Sequence, residues 1–137
     1  GYATSFAVIT GHESPDKPES DIRWDKLAAG VDTLVFLMGV ENLEVIADKL
    51  ISNGRNPDTP AAVIQWGTYP RQKTVTGKLS DIIKKCIDEG IKAPAVTVVG
   101  EVVRLRETIS WFETKPLFGK RIIGSFGIPG DKVCSSA

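Results

Sequence analysis

The stretch TLVFLMGVEN (Thr33–Asn42) decides the fold class. Asp32 to Met38 reads as an apolar strand, the pattern of a strand buried on both faces. Immediately after it, Glu41 to Asn53 carries apolar residues at Leu43, Ile46, Ala47, Leu50 and Ile51. That spacing predicts a helix with one buried stripe, capped by Asn42 and stopped at Gly54. A buried strand, a glycine turn and an amphipathic helix form the repeating unit of an α/β domain.

The same alternation extends in both directions. Thr4 to Thr10 reads as a strand, and the Pro-containing segment Gly11 to Asp21 as a loop. Asp21 or Asp25 is expected to cap a short helix that ends at Gly30. Downstream, Asn56 to Pro60 is a turn, Ala61 to Trp66 a strand, and Gln72 to Thr76 a shorter strand. Gly77 and Lys78 lead into a helix from about Leu79 to Glu89, with Gly90 as its stop. Lys92 to Pro94 is a turn, Ala95 to Val99 the last strand, and Val102 to Phe112 has helical spacing. The expected class is α/β, a mixed sheet flanked by helices that cover both faces. Ligands gather at the carboxyl ends of strands in such sheets. Met38-Gly39, Trp66-Gly67-Thr68 and Val99-Gly100-Glu101 are therefore the places to look.

Composition bounds the function. The chain has 137 residues, 42% hydrophobic and 25% charged, which suits one globular domain. Seventeen basic residues balance seventeen acidic ones, so a general electrostatic grip on nucleic acid or an anionic membrane is not expected. No apolar run approaches the roughly 18 residues of a membrane-spanning helix. Cys86 and Cys134 are too few for a disulfide framework, so reduced thiols and a cytoplasmic setting are expected. The chain opens at Gly1 without methionine and is in an apolar run by Phe6, as a segment of a longer chain would be. Residues 1–121 are expected to form one domain, and residues 122–137, rich in Gly and Pro, a loosely ordered tail or truncated junction.

The chemistry-bearing residues are sparse. Met38-Gly39 offers a soft apolar wall and a backbone open to a ligand, but a turn glycine beside a core methionine is the better account from these residues alone. The same holds for Gly67-Thr68, as backbone contact to a nucleoside or as turn and cap. His12 is the single histidine, and no Cys or His cluster accompanies it, so no metal site is expected. A lone loop histidine is most often solvated. Trp111-Phe112 reads as a core plug at the end of the last helix. Arg104 and Arg106 read as a solvated helix face. No phosphate loop, nucleophile elbow or C-x-x-C is present.

Four segments carry a resemblance: TSFAVITGHE (Thr4–Glu13), TLVFLMGVEN (Thr33–Asn42), LISNGRNPDTPAAVIQWGTYPRQKTVTGKLSDI (Leu50–Ile82) and APAVTVVGEVVRLRETISWF (Ala93–Phe112). In order and spacing they resemble the C-terminal part of the uroporphyrinogen III C-methyltransferases, a domain type also found in siroheme synthase. PLFGKR (Pro116–Arg121) resembles the junction that follows. The resemblance implies the C-terminal domain of a two-domain tetrapyrrole methylase fold, with S-adenosylmethionine held in the cleft between domains. It implies transfer of two methyl groups to uroporphyrinogen III, giving precorrin-2 for siroheme and cobalamin, and a homodimer. Position by position, it implies cofactor contacts at Met38, Gly39, Gly67, Thr68, Pro94 and Ala95, and a substrate side at Thr10, Gly11 and His12. The family's Gly-rich loop, acid–base groups and substrate-holding arginines are not in this segment. No catalytic residue is therefore assigned, and the segment alone is expected to be inactive.

Two alternatives belong to other classes. One is a non-catalytic dimerisation or ligand-binding module, motivated by the missing catalytic constellation. The other is a methylase acting on a later corrin-pathway intermediate. Thr10-Gly11-His12 and Trp66-Gly67-Thr68 favour the uroporphyrinogen branch within the resemblance.

Overall fold

The last of the described strands lies at the centre of the sheet. The computed structural model describes residues 1–11, 21–121 and 123. Its strands are β1 (Phe6–Thr10), β2 (Thr33–Leu37), β3 (Pro60–Gln65), β4 (Lys73–Lys78) and β5 (Ala95–Val99). They form one sheet in the order β1-β2-β5-β3-β4. β1 and β2 are parallel, whereas β5 runs antiparallel to both β2 and β3, and β4 antiparallel to β3. The helices are α1 (Trp24–Gly30), α2 (Leu43–Ser52) and α3 (Ile82–Asp88); a 3₁₀ segment, Glu101–Leu105, precedes a short α4 (Arg106–Ile109).

Side chains alternate across a strand, so directly paired residues share a face. Leu34 and Phe36 on β2 share one with Thr97 and Val99 on β5, Ala61 and Val63 on β3, and Val75 on β4. All of them are buried. Leu43, Ile46, Ala47 and Leu50 of α2, together with Leu79, Ile82 and Cys86, complete the same core. Trp24 of α1 stacks on Phe36 at 6.1 Å between ring centroids. Burial raises the Cys86 thiol pKa, which keeps it in the unreactive protonated form. Cys134 and the 122–137 tail lie outside the described residues, apart from Ile123.

The opposite face is covered only in part, against the expectation of helices on both. The 3₁₀ segment and α4 lie over the β3–β5 side, leaving a groove of about 290 Å³ lined by Ala62, Ile64, Val98, Val102, Leu105 and Ile109. On β1 and β2, Phe6, Val8 and Leu37 are exposed.

Several sequence expectations shift. The helix expected over Val102–Phe112 is a 3₁₀ turn followed by the four residues of α4. β-Branched Val102, Val103, Thr108 and Ile109 weaken it, and the Thr108 hydroxyl donates back to the Leu105 carbonyl at 3.0 Å. Trp111 is 64% exposed and does not plug the core. Lys115 Nζ lies 4.4 Å from its ring centroid instead. The hairpin extends further than expected: Gly77 and Lys78 pair with Ala61 and Pro60 rather than leading into a helix. Asp81 accepts from the Lys78 amide at 2.7 Å, so α3 starts at Ile82. Arg23, not Asp21 or Asp25, precedes α1 at the cap position. β3 ends at Gln65, one residue before Trp66.

Candidate functional site

One edge of the sheet collects the turns. Thr10 pairs with Leu37, Leu37 with Val96, and Val96 with Ile64. Thr10-Gly11 at the end of β1, Met38-Gly39 after β2, Gly67-Thr68 after β3 and Pro94-Ala95 at the start of β5 therefore lie side by side. Val99-Gly100-Glu101 does not join them. Because β5 is antiparallel, its carboxyl end pairs toward Leu34 and Ala61 at the far edge, and its amino end takes the place at the ligand edge. His12 lies outside the described residues.

Met38 is 66% exposed, so it is not a core methionine. Its backbone adopts φ 56°, a left-handed conformation that bulky residues rarely hold. With Val40, Glu41, Ala93, Pro94 and Ala95 it lines a cleft of about 190 Å³. Three of the six residues expected to touch a cofactor are thus brought together: Met38, Pro94 and Ala95. Gly39 packs away from the cleft. A Cβ there would sit 2.9 Å from Ile46 Cδ1 and 3.2 Å from Phe36 Cβ, so the site that looked open to a ligand is filled by the protein. Asn42 does not cap α2 with its side chain; its Nδ2 donates to the Gly11 carbonyl at 2.8 Å. The Gly11 amide donates to the Leu37 carbonyl at 2.6 Å.

Gly67 and Thr68 belong to the adjoining turn. The Trp66 amide donates to the Pro94 carbonyl at 3.3 Å, which joins this turn to the wall of the Met38 cleft. Trp66 and Thr68 have φ values of 51° and 69°. Non-glycine residues in this region cost about 1–3 kcal/mol each, and hold it only where their surroundings fix them. The Arg71 guanidinium stacks 3.7 Å from the Trp66 ring centroid, and Tyr69 meets the same ring edge-on. The Thr68 amide donates to Gln72 Oε1 at 2.7 Å.

Gln72 extends into a polar cluster that sequence reasoning missed. Its Nε2 donates to Glu113 Oε1 at 2.9 Å, and the Thr74 hydroxyl donates to the same oxygen at 2.7 Å. Arg106 Nη2 donates to Glu113 Oε2. Burial acts to raise the Glu113 pKa, but donation from Thr74, Gln72 and Arg106 outweighs it, and the net shift is downward. Among the described residues no group of three or more His, Cys, Asp or Glu is placed to hold a metal, and no helix is long and apolar enough to cross a membrane.

Known proteins resemble this chain in sequence and in fold. The chain is 46% identical over 122 residues to the uroporphyrinogen-III C-methyltransferase of Bacillus subtilis (strain 168), a match that covers 89% of the chain and 25% of that protein. It is 47% identical over 111 residues to a siroheme synthase of Neisseria meningitidis serogroup B, covering 81% of the chain and 22% of the relative. Among solved structures, uroporphyrin-III C-methyl transferase from Thermus thermophilus complexed with S-adenyl homocysteine superposes with a TM-score of 0.62 at 30% identity, covering 77% of the chain and 45% of that structure. A cobalt precorrin-4 methyltransferase superposes with a TM-score of 0.65 at 20% identity over 74% of the chain and 42% of its own length, a likeness of fold alone. The chain thus spans about a quarter of the length of the curated relatives it matches. The profile of the tetrapyrrole (corrin/porphyrin) methylases matches residues 2–83, more than half the chain. On that match, and on a mixed sheet shared with the solved methyltransferases, the chain belongs to the tetrapyrrole methylase family.

Proposed function

We propose that this chain supplies one wall of the cofactor pocket in an S-adenosylmethionine-dependent C-methyltransferase that converts uroporphyrinogen III to precorrin-2. The observation that carries the reading is the cleft formed by Met38, Val40, Pro94 and Ala95 beside two turns held in left-handed backbone conformations. Met38 and its apolar neighbours suit a flat nucleoside, and Glu41 adds an acceptor among the lining residues. The size of the cleft argues for a partial pocket. At about 190 Å³ it falls below the roughly 300–1,000 Å³ of complete ligand sites.

When bound, S-adenosylmethionine supplies an electrophilic methyl group. The residues of this chain bind and orient: Met38, Pro94 and Ala95 form the apolar wall, and the Gly67-Thr68 turn offers backbone beside it. Thr10 and Gly11, with His12 next in sequence, lie on the substrate side of the same reading. Proton removal and the holding of the substrate carboxylates fall to groups outside this chain. A homodimer in the cytoplasm belongs to the same proposal, and exposed Phe6, Val8 and Leu37 give association an apolar surface. Sedimentation of the chain checks the dimer.

Calorimetry with S-adenosylhomocysteine tests the central reading. A partial pocket should bind measurably but weakly. Absence of binding overturns the cofactor wall, and affinity as tight as that of a complete methyltransferase overturns the partial pocket.

A further inference from the structure

The turn of residues 66–72 poses a physical problem. Two of its residues, Trp66 and Thr68, hold left-handed backbone conformations without being glycine. Its internal backbone bonds, Tyr69 N–H to the Trp66 carbonyl and Gln72 N–H to the Tyr69 carbonyl, do not reach the Thr68 amide. That amide is held by the Gln72 side chain at 2.7 Å. Gln72 is held in turn by a carboxylate 41 residues further along the chain. An amide side chain can accept at Oε1 and donate at Nε2 at the same time, so Gln72 transmits position from one partner to the other.

We infer that Gln72 and Glu113 are positioning residues, which together set the conformation of the 66–72 turn from the segment that follows α4. The geometry of Glu113 supports this over a simple surface staple. Its Oε1 takes donors from Gln72 and from Thr74 on β4, and its Oε2 takes Arg106 from α4. The carboxylate therefore bridges the strand after the turn and the helix that lies over the sheet. Moving Glu113 shifts Gln72, and moving Gln72 releases the Thr68 amide. Because the Trp66 amide is bonded to Pro94, the relay ends at the cleft wall. The link to cofactor geometry rests on the function proposed above; the relay itself does not.

Amide exchange at Thr68, compared with that at Val63 in the middle of β3, separates these two levels. Gln72→Met and Glu113→Ala should each speed exchange at Thr68 by roughly two- to tenfold beyond any change at Val63, the net worth of one hydrogen bond. Glu113→Gln keeps an oxygen for Gln72 and Thr74 and should restore most of the protection. If Glu113→Ala alters Thr68 and Val63 equally, or leaves Thr68 unchanged, the relay is overturned. Should Glu113→Ala lose the native fold, Glu113→Asp, which withdraws the carboxylate by one methylene, takes its place. Calorimetry with S-adenosylhomocysteine on the same proteins then decides the functional link. Weaker binding in Gln72→Met and Glu113→Ala with recovery in Glu113→Gln is expected. Unchanged binding in the variants breaks that link, and a parent chain that binds nothing counts against the cofactor wall instead.

Discussion

Gly11 and Gly39 meet backbone against backbone: a Cβ added to Gly11 would overlap the Cα of Gly39. The contact holds the turn after β1 against the turn after β2, and the Asn42 side chain adds a hydrogen bond to the Gly11 carbonyl. The two glycines are not equivalent. A Cβ on Gly39 meets first the end of the Ile46 side chain, which can rotate away, whereas at Gly11 it meets backbone, which cannot. Gly11→Ala should therefore cost about 1–3 kcal/mol in urea unfolding, in the range of overpacked sites, and Gly39→Ala less. The opposite order would mean that the close approach is not what these positions require.

Met38→Ala separates function from stability. The side chain is mostly solvent-facing, so truncation should leave stability within about 0.5 kcal/mol. Binding of S-adenosylhomocysteine should weaken at least severalfold, because the cleft loses one wall. Equal affinities for parent and variant in calorimetry would remove Met38 from the site.

Thr97 is a flaw in the core. Its side chain is buried on β5 between Phe36 of β2 and Val63 of β3, and its hydroxyl has no hydrogen-bond partner among the described residues. Thr97→Val should stabilise the chain by about 1 kcal/mol, since a buried unpaired hydroxyl carries a penalty of that order. A lower urea midpoint for the variant would contradict this.

Acid should loosen the start of the chain. Asp32 accepts from the Thr4 amide and hydroxyl at 2.7 and 2.8 Å, and from Ser5, which lowers its pKa to about 2. A carboxylate with a lowered pKa contributes stability that is complete above its unfolded value near 4 and is lost as pH falls toward 2. Unfolding followed across that window should flatten in Asp32→Asn. A variant with the parent's acid slope would assign the effect to another group.

The sequence shows its periods more clearly than its directions. The strand at Thr33–Leu37 and the helix after it were legible because one buried stripe of 3.6 period follows a continuous apolar run. The direction of β5 was not, since apolar AVTVV reads the same whichever way the strand runs. That ambiguity sent Val99-Gly100-Glu101 to the ligand edge on paper and to the opposite edge in the fold. The helix expected through Phe112 failed for a related reason: spacing alone carried Val102, Leu105 and Ile109, while β-branching and the Thr108 back-bond shortened it. Met38, Pro94 and Ala95, named by the resemblance and far apart in sequence, come together in one cleft. Gln72 and Glu113 were invisible because they are 41 residues apart and polar, and no local pattern pairs such residues.

The place of β5 also sets an order of events. The parallel pair β1–β2 and the hairpin β3–β4 can each form alone, but among the described residues no strand pairing joins the two until Ala95–Val99 slides between β2 and β3. During synthesis the two halves must wait, each with an unpaired edge, for the last strand to leave the ribosome. A stalled or clipped product ending before Ala95 would carry both edges bare, and aggregation rather than a smaller folded domain is its expected fate.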